Sequence, residues 1–501
     1  DAAQRRRLSA LPRREVLFNY LGQLDASFEQ DSPWRLSEEP VGACMDEDAP
    51  RSHALAINGQ IHAGELRLEI GYSAARYRAD TIAALAASYQ AELEALIAHC
   101  SEGAAGVTPS DFPLAGLSQA QLDALPLAAA QLEDLYPLSP MQAGMLFHSL
   151  YAPDGSAYLN QIRLDIEGLD AARFREAWQG LQARHDILRT GFLTQRERLL
   201  QWVARDVALP FAEHDWRARA GEEDLGAALD ELARADLAQG FDLSQPPLQR
   251  LHLVRTGPAR HHLIWTTHHL LLDGWSTSQL LGEVLRRYAG EALAPHGGRY
   301  RDYIAWLAAR EGGASEAYWR AQTQRLESPT RLAQPTQPTN GDADAGHGEH
   351  ERILDASRTR RLLAAARRAR ITPNTLVQAA WALLLRRHTG QDVVAFGATV
   401  AGRPQDLAGA EHLLGLFINT LPVIVEIDPW RRVDDWLQAL QAQNLALREH
   451  EHTPLYDIQR WAGQAGQGLF DTLLVFENYP VDSALQAATP GGLRIGGVEN
   501  R

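Results

Sequence analysis

The chain has 501 residues, 45% of them hydrophobic and 22% charged, so it has room for more than one buried core and is too apolar for a disordered polymer. A formal net charge of −15 argues against nucleic acid or an anionic membrane as its main partner. Every one of its 48 basic residues is arginine, which excludes chemistry that needs a lysine: a P-loop, a Schiff base or a pyridoxal attachment.

The sequence contains no apolar run of about 18 residues and no leader-like start, so the expected compartment is the cytoplasm. Position 1 is Asp, which reads as a piece of something longer. Cys44 and Cys100 lack disulfide or metal-ligand spacing and are expected as buried thiols.

In chain order, "VLFNYLGQLD" from Val16 has a near copy in "LVFENYPVD" from Leu474. After the first copy, "HALAINGQIHAGELRLEIGYS" from His53 alternates like paired strands around a glycine turn. "ADTIAALAASYQAELEALIAHC" from Ala79 then has helical periodicity. After the second copy only a short stretch remains before Arg501. The expectation is that residues 1–100 form the tail of one domain, and that 133–501 belong to a related domain whose closing strands lie further on. Residues 101–132, rich in Ala, Gly, Pro and Ser, read as a linker that docks on its neighbours. "LAQPTQPTNGDADAGHGEH" from Leu332 reads as a second loop, between two lobes or on the surface.

From residue 133 helical and strand patterns alternate, as in an α/β fold. "DAARFREAWQGLQARHDIL" is an amphipathic helix that Asp170 can cap. "LQRLHLVRT" and "HHLIWTT" flank the turn "GPAR" and read as a hairpin or as two neighbouring strands. "STSQLLGEVLRRY" is a helix with Ser and Thr available as caps and with Leu280, Leu281, Val284, Leu285 and Tyr288 at core spacing. Trp306, Tyr318 and Trp319 also read as core, and Trp275 as a packing residue.

Between the hairpin and that helix lies "TTHHLLLDGWS". Successive strand residues face opposite ways, so one of His268 and His269 should face the core and the other a cleft. An imidazole suits proton transfer near neutral pH, and Gly274 permits a turn that brings a backbone N–H close to a ligand. By spacing alone the stronger claim belongs to a histidine pair satisfied by backbone carbonyls, with Asp273 merely flanking the helix. The earlier pair His261 and His262 has no Asp-Gly after it and reads as strand.

"HHLLLDG" resembles the HHxxxDG signature of the condensation domains of nonribosomal peptide synthetases, relatives of chloramphenicol acetyltransferase. "LYPLSPMQAGMLFHSLY" resembles the opening motif of that family, "RHDILRTGF" its second, "YRDYIAWL" its fourth and "GLFINTLPV" its fifth, in family order. "FDTLLVFENYP" from Phe470 resembles the last segment before the closing strands, and "FNYLGQLD" resembles the closing motif of an epimerization domain.

The resemblance implies a two-lobed α/β fold of the chloramphenicol acetyltransferase type, with the motif between lobes at 133–310 and 311–501 and an epimerization tail at 1–100. It implies an amide-bond-forming transferase that joins a donor peptidyl or aminoacyl thioester to an acceptor aminoacyl thioester. The implied partners are upstream donor and downstream acceptor carrier domains, which supply the phosphopantetheine arms, and an adjacent adenylation domain. No cofactor or metal of its own, no nucleic acid and no membrane are implied. His269 would accept a proton from, or orient, the attacking amine, and Gly274 would donate an N–H to the oxyanion. His268 and Asp273 would be structural, Asp273 pairing with Arg403 of "AGRP" or, as a weaker choice, Arg189. "SPMQAGMLFH" and the epimerization-like tail together imply a D-configured donor and an L-configured acceptor. Two other readings are a catalytically silent, partner-recruiting domain and a stand-alone coenzyme A-dependent acyltransferase.

Overall fold

A computed structural model of the chain describes residues 14–23, 51–101 and 106–500, with breaks at 63, 152–157, 196–197, 220–223, 296, 311, 333–347, 465–467 and 478–491, and a few isolated positions before 50. Cys44, most of the Leu332 loop and the ends of both repeat copies fall outside the described residues. The chain divides into two units, Asp1–Ala105 and Gly106–Arg501.

In the first unit the alternating stretch forms β2 (Leu55–His62) and β3 (Glu65–Tyr72), antiparallel, with β1 (Val16–Gln23) parallel to β2 on its other side. Gly64 holds a φ of +75° in the turn, a conformation that favours glycine. The periodic stretch forms helix α1 (Ala79–Ser101). Cys100, expected to be buried, is exposed near the end of this helix, in a unit whose helix buries only Ile82.

The second unit begins inside the expected linker. There Phe112, Ala115, Leu117, Leu122 and Leu125 share a core with Leu135, Leu200 and Trp202. That segment folds because it carries its own signals: a capping box of Ser118 and Gln121 starts a short helix, Gln119–Asp123. Next come β4 (Leu132–Pro137) and α2 (Pro140–Tyr151), then β5 (Leu159–Glu167) and α3 (Ala171–Arg184), which Asp170 caps. The strands β6 (Thr190–Gln195) and β7 (Arg198–Ala204) complete a small sheet with β4 in the order β4-β7-β6.

The first lobe's main sheet adds β8 (Phe211–Asp215), β9 (Gln249–Arg255) and β10 (Arg260–His268), the last two as the expected hairpin. Helix α4 (Leu225–Gln239) lies on one face of the sheet, where Gln161 of β5 donates to its Ala233 carbonyl. On the other face α3 packs Trp178 against Trp265 of β10, with the ring centres 4.9 Å apart. After β10 comes α5 (Gly274–Ala289), which buries Leu280, Leu281, Val284, Leu285 and Tyr288 as the periodicity requires. Helix α6 (Tyr300–Ala308) buries Tyr300, Tyr303 and Ile304 in the same core.

The second lobe has its own core around Phe396, Leu421, Val423, Trp436 and Trp319. Its sheet runs in the order β12-β11-β13, with β11 at Val393–Val400, β12 at Asn419–Glu426 and β13 at Leu473–Leu474. Trp319 is fully buried, whereas Trp306 and Tyr318 are only partly so.

Two segments cross between lobes. Leu413, Leu414, Leu416 and Phe417, just before β12, are buried in the first lobe's core. The strand β14 (Arg494–Asn500), inside the range expected for the second lobe, pairs instead with β5, giving the order β14-β5-β10-β9-β8. Ile495 packs against the first lobe's core, which explains the crossing.

Candidate active site

β10 stops at His268, so the two histidines occupy different settings: His268 is the last strand residue and His269 opens a tight turn. The backbone N–H of His268 donates to Leu248 O (3.0 Å) and that of His269 to Tyr158 O (2.8 Å). His268 is buried, and its Nδ1 accepts the N–H of Leu270 at 3.1 Å. An Nδ1 that accepts leaves the neutral ring's proton on Nε2. Burial, and secondarily the neighbouring His269, hold the pKa of His268 down to about 4, so it stays neutral.

His269 is half-buried, and its Nδ1 lies 2.8 Å from the carbonyl oxygen of Leu272. A carbonyl only accepts, so here Nδ1 carries the proton. The neutral ring therefore presents an unprotonated Nε2. Two adjacent histidines are set in opposite tautomers by nothing more than the backbone groups beside them.

The turn ends at Asp273, which caps α5. Its Oδ1 accepts the N–H of Ser276 at 2.7 Å and its Oδ2 the N–H of Phe417 at 3.0 Å. The cap expected from Ser or Thr is thus supplied one turn earlier by aspartate, because Ser276 is already inside the helix with its hydroxyl engaged elsewhere. Ser276 Oγ donates to Gly415 O (2.8 Å) and accepts from Arg403 Nη2 (2.7 Å) and Gly415 N (3.1 Å).

Arg403 also reaches Asp273 Oδ1 at 3.4 Å, and its other nitrogen Nη1 donates to Ala410 O and Leu413 O at 2.7 and 2.8 Å. Its guanidinium lies 4.1 Å from the centre of the Phe417 ring. Burial pulls its pKa down while Asp273 pushes it back up. The pair thus joins the start of α5 in the first lobe to the loop before β12 in the second.

Two glycines make that approach possible. Gly402 has φ +62°, and a Cβ there would lie 1.9 Å from Phe417 O. A Cβ on Gly415 would lie 2.1 Å from the ring of Tyr300, whose hydroxyl donates to Leu416 O at 2.7 Å.

Arg189, the weaker candidate partner of Asp273, is not at this site. It is buried against Glu133 at 2.6 Å and donates to the carbonyls of Ala204, Arg205 and Gln182. Trp275, expected to pack, is 41% exposed on the first turn of α5, with its indole N–H 3.4 Å from Glu411 O. Gly274 is the first residue of α5, and the first N–H groups of a helix have no carbonyl within it to bond. That leaves an N–H and the positive end of the helix dipole next to the turn that carries His269. The sequence offers Ser276 only as a possible helix cap and does not single out Gly402, Gly415 or Tyr300. The roles of Ser276, Gly415 and Tyr300 depend on partners more than a hundred residues away, and that of Gly402 on the Phe417 carbonyl beyond the following loop; no local pattern encodes those. Among the described residues no group of three or more His, Cys, Asp or Glu is arranged to hold a metal ion.

The turn thus fixes one imidazole by its Nδ1 and sets it beside the N-terminus of α5. The chain belongs to the condensation-domain family, whose model matches residues 132–492. It is 39% identical over 508 residues to one of the linear gramicidin synthase subunits of Brevibacillus parabrevis, covering 98% of this chain and 10% of that protein. It is 37% identical to another of the subunits of the same synthase, over 97% of this chain and 6% of that protein. To chondramide synthase of Chondromyces crocatus it is 36% identical, over 97% of this chain and 14% of that protein. The chain thus spans a small fraction of the length of these relatives.

The fold is that of solved condensation domains. The starter condensation domain of rhizomide synthetase matches with a TM-score of 0.56 at 24% identity, over 68% of this chain and 78% of that one. The first condensation domain of the calcium-dependent antibiotic synthetase matches at 0.53 and 23%, over 69% and 82%. This is the two-lobed architecture of the chloramphenicol acetyltransferase type.

Proposed function

We propose that residues 106–501 form an amide bond between two carrier-bound thioesters, with His269 as the proton acceptor. In this reading the α-amino group of the acceptor attacks the donor's thioester carbonyl. The C–N bond forms, the nitrogen's proton passes to His269 Nε2, the C–S bond breaks and the proton leaves with the donor carrier's phosphopantetheine thiol. The observation that carries the reading is the 2.8 Å contact from His269 Nδ1 to Leu272 O, which keeps Nε2 free of a proton in the neutral ring. Gly274, at the start of α5, is assigned to the oxyanion through its N–H. Asp273 and Arg403 position the turn and are not proton acceptors, since the carboxylate's oxygens are already committed to Ser276, Phe417 and Arg403. His268, buried and neutral, is structural. Holding both thioesters in one channel between lobes would supply much of the rate by effective molarity.

The donor is proposed to end in a D-configured residue and the acceptor to be L-configured. Support comes from the "SPMQAGMLFH" variant of the opening motif and from the first unit, proposed to be an epimerization-domain tail. The match to the gramicidin synthase subunits extends over 97% or more of this chain and so includes most of that unit, as expected if the two belong together. The partners proposed are donor and acceptor carrier domains with an adenylation domain adjacent, in the cytoplasm; among the described residues no helix is long and apolar enough to cross a membrane.

The test is to offer the chain donor carriers loaded with matched D- or L-ending groups together with a loaded acceptor carrier, and to follow the amide product by mass spectrometry. Product from the D donor in clear excess is expected. Equal use of both defeats the stereochemical assignment, and no product from either defeats the catalytic one.

A further inference from the structure

The turn from His269 to Leu272 is short, sits between lobes and carries the proposed base, so something must hold its backbone from below. The side chain that does so comes from neither lobe's HH-turn or Asp273 network. Gln142, in the first turn of α2, is fully buried and donates from Nε2 to the carbonyl of Leu270 at 3.1 Å. The same nitrogen donates to Gln201 Oε1 of β7 at 3.2 Å, while Gln201 Nε2 donates back to Gln142 Oε1 at 2.9 Å. Gln201, also fully buried, uses its second N–H on Pro137 O at 2.9 Å, and Gln142 Oε1 takes in addition the N–H of Ser139 at 2.9 Å.

All four amide hydrogens of the pair are used, and each amide makes the other's geometry unique. A primary amide has two donors and an acceptor in one plane, so no other side chain of this size closes this ring and still reaches Leu270 O. If only core filling were needed, apolar residues of similar volume would serve without the cost of burying two amides. The pair links four places: the end of β4, the start of α2, the middle of β7 and the residue after His269.

We infer that Gln142 and Gln201 are positioning residues for His269, a reciprocal amide pair that ties the turn carrying the base to the β4-β7-β6 sheet. This rests on the catalytic reading of His269 for its consequence in rate, though not for its consequence in geometry. Removing the tie frees Leu270 O, lets the Leu270–Leu272 backbone shift, and so alters the Leu272 carbonyl that holds the Nδ1 proton of His269.

The test separates positioning from plain stability. Gln142→Leu alone orphans the amide of Gln201 and should lower the melting temperature. Gln142→Leu with Gln201→Leu removes both amides together and should recover part of that loss. With ¹⁵N-labelled histidine, and His269 assigned by the signal lost in His269→Gln, the ring-nitrogen shifts report the tautomer directly. The expected result is that the double variant recovers stability, yet its His269 signals move toward a mixture of tautomers and its amide-forming rate stays about tenfold or more below wild type. Unchanged His269 shifts, or a rate that recovers together with the melting temperature, overturns the inference. If the double variant does not fold, Gln142→Met, which keeps the length and flexibility of the side chain, is read by the same shifts and judged by the same outcomes. The nitrogen shifts are measured without substrate. A wild-type protein that forms no amide would therefore defeat the proposed function and leave this tie to stand or fall on the shifts.

Discussion

One strand of this molecule carries a His-His dipeptide near its start and another across its end, and the two copies do different things. Near the start of β10, His261 and His262 are both buried, and His262 is spent on the sheet. His262 meets Asp165 at 2.7 Å and Arg163 at 3.2 Å, and burial lowers the pKa of His261. At the other end His268 and His269 part company, one the last strand residue and one the first of a turn, and their tautomers are opposite. The dipeptide does not carry the chemistry. What differs is the sequel: after His262 the strand continues, while after His269 the turn runs into a helix capped by an aspartate that a second lobe clamps.

The clamp should show the largest effect. Asp273→Ala leaves Arg403 buried without its carboxylate and Phe417 N–H without an acceptor, so it should cost about 3–5 kcal/mol by chemical denaturation and abolish amide formation. A loss below about 1 kcal/mol would mean that the pair does not hold the lobes' contact.

His268 should make stability depend on pH. Its folded pKa of about 4 lies below the value of 6.5 expected when unfolded. Its contribution is complete above 6.5 and is lost as pH falls toward 4, where the unfolded chain takes up a proton that the folded one refuses. The full gap is worth roughly 3 kcal/mol. In urea titrations from pH 7.5 to 4.5 the stability advantage of wild type over His268→Met should shrink steadily as the pH falls. A constant difference would contradict the buried neutral assignment.

The other dipeptide should be nearly silent. Asp165 is largely exposed, so its pair with His262 is screened, and His262→Gln should change stability by about 1 kcal/mol or less and leave the amide-forming rate unaltered. A drop in rate there would erase the contrast between the two ends of the strand.

Much of this architecture is written locally. The β2-β3 hairpin, the β9-β10 hairpin, helix α1, the Asp170 cap and the buried face of α5 all follow from alternation, periodicity or a capping residue. So does the split between one buried and one more open histidine, although the reason is that the strand ends between them and not that both lie on it. The pairing of Asp273 with Arg403 was anticipated through the family's motif pattern, but the geometry shows that Asp273 is a helix cap as well as an ion-pair partner. Arg189 was misplaced because an arginine in a motif looks equally available to any acid, and only the fold brings Glu133 to it. Cys100 and Trp275 were misjudged on residue type, which gives an average burial and not a position. The glutamine pair and Gly415 leave no local trace, since each is defined by an atom contributed from a distant part of the chain.

The most direct trial of the account is the single-turnover rate of amide formation by His269→Ala beside wild type, both carriers loaded, with the melting temperature of each protein recorded. A fall of about 100-fold or more, the range for losing a positioned base, is expected, with the melting temperature nearly unchanged. A variant as fast as wild type would contradict it, and His269 would then be a residue that shapes the turn and nothing more.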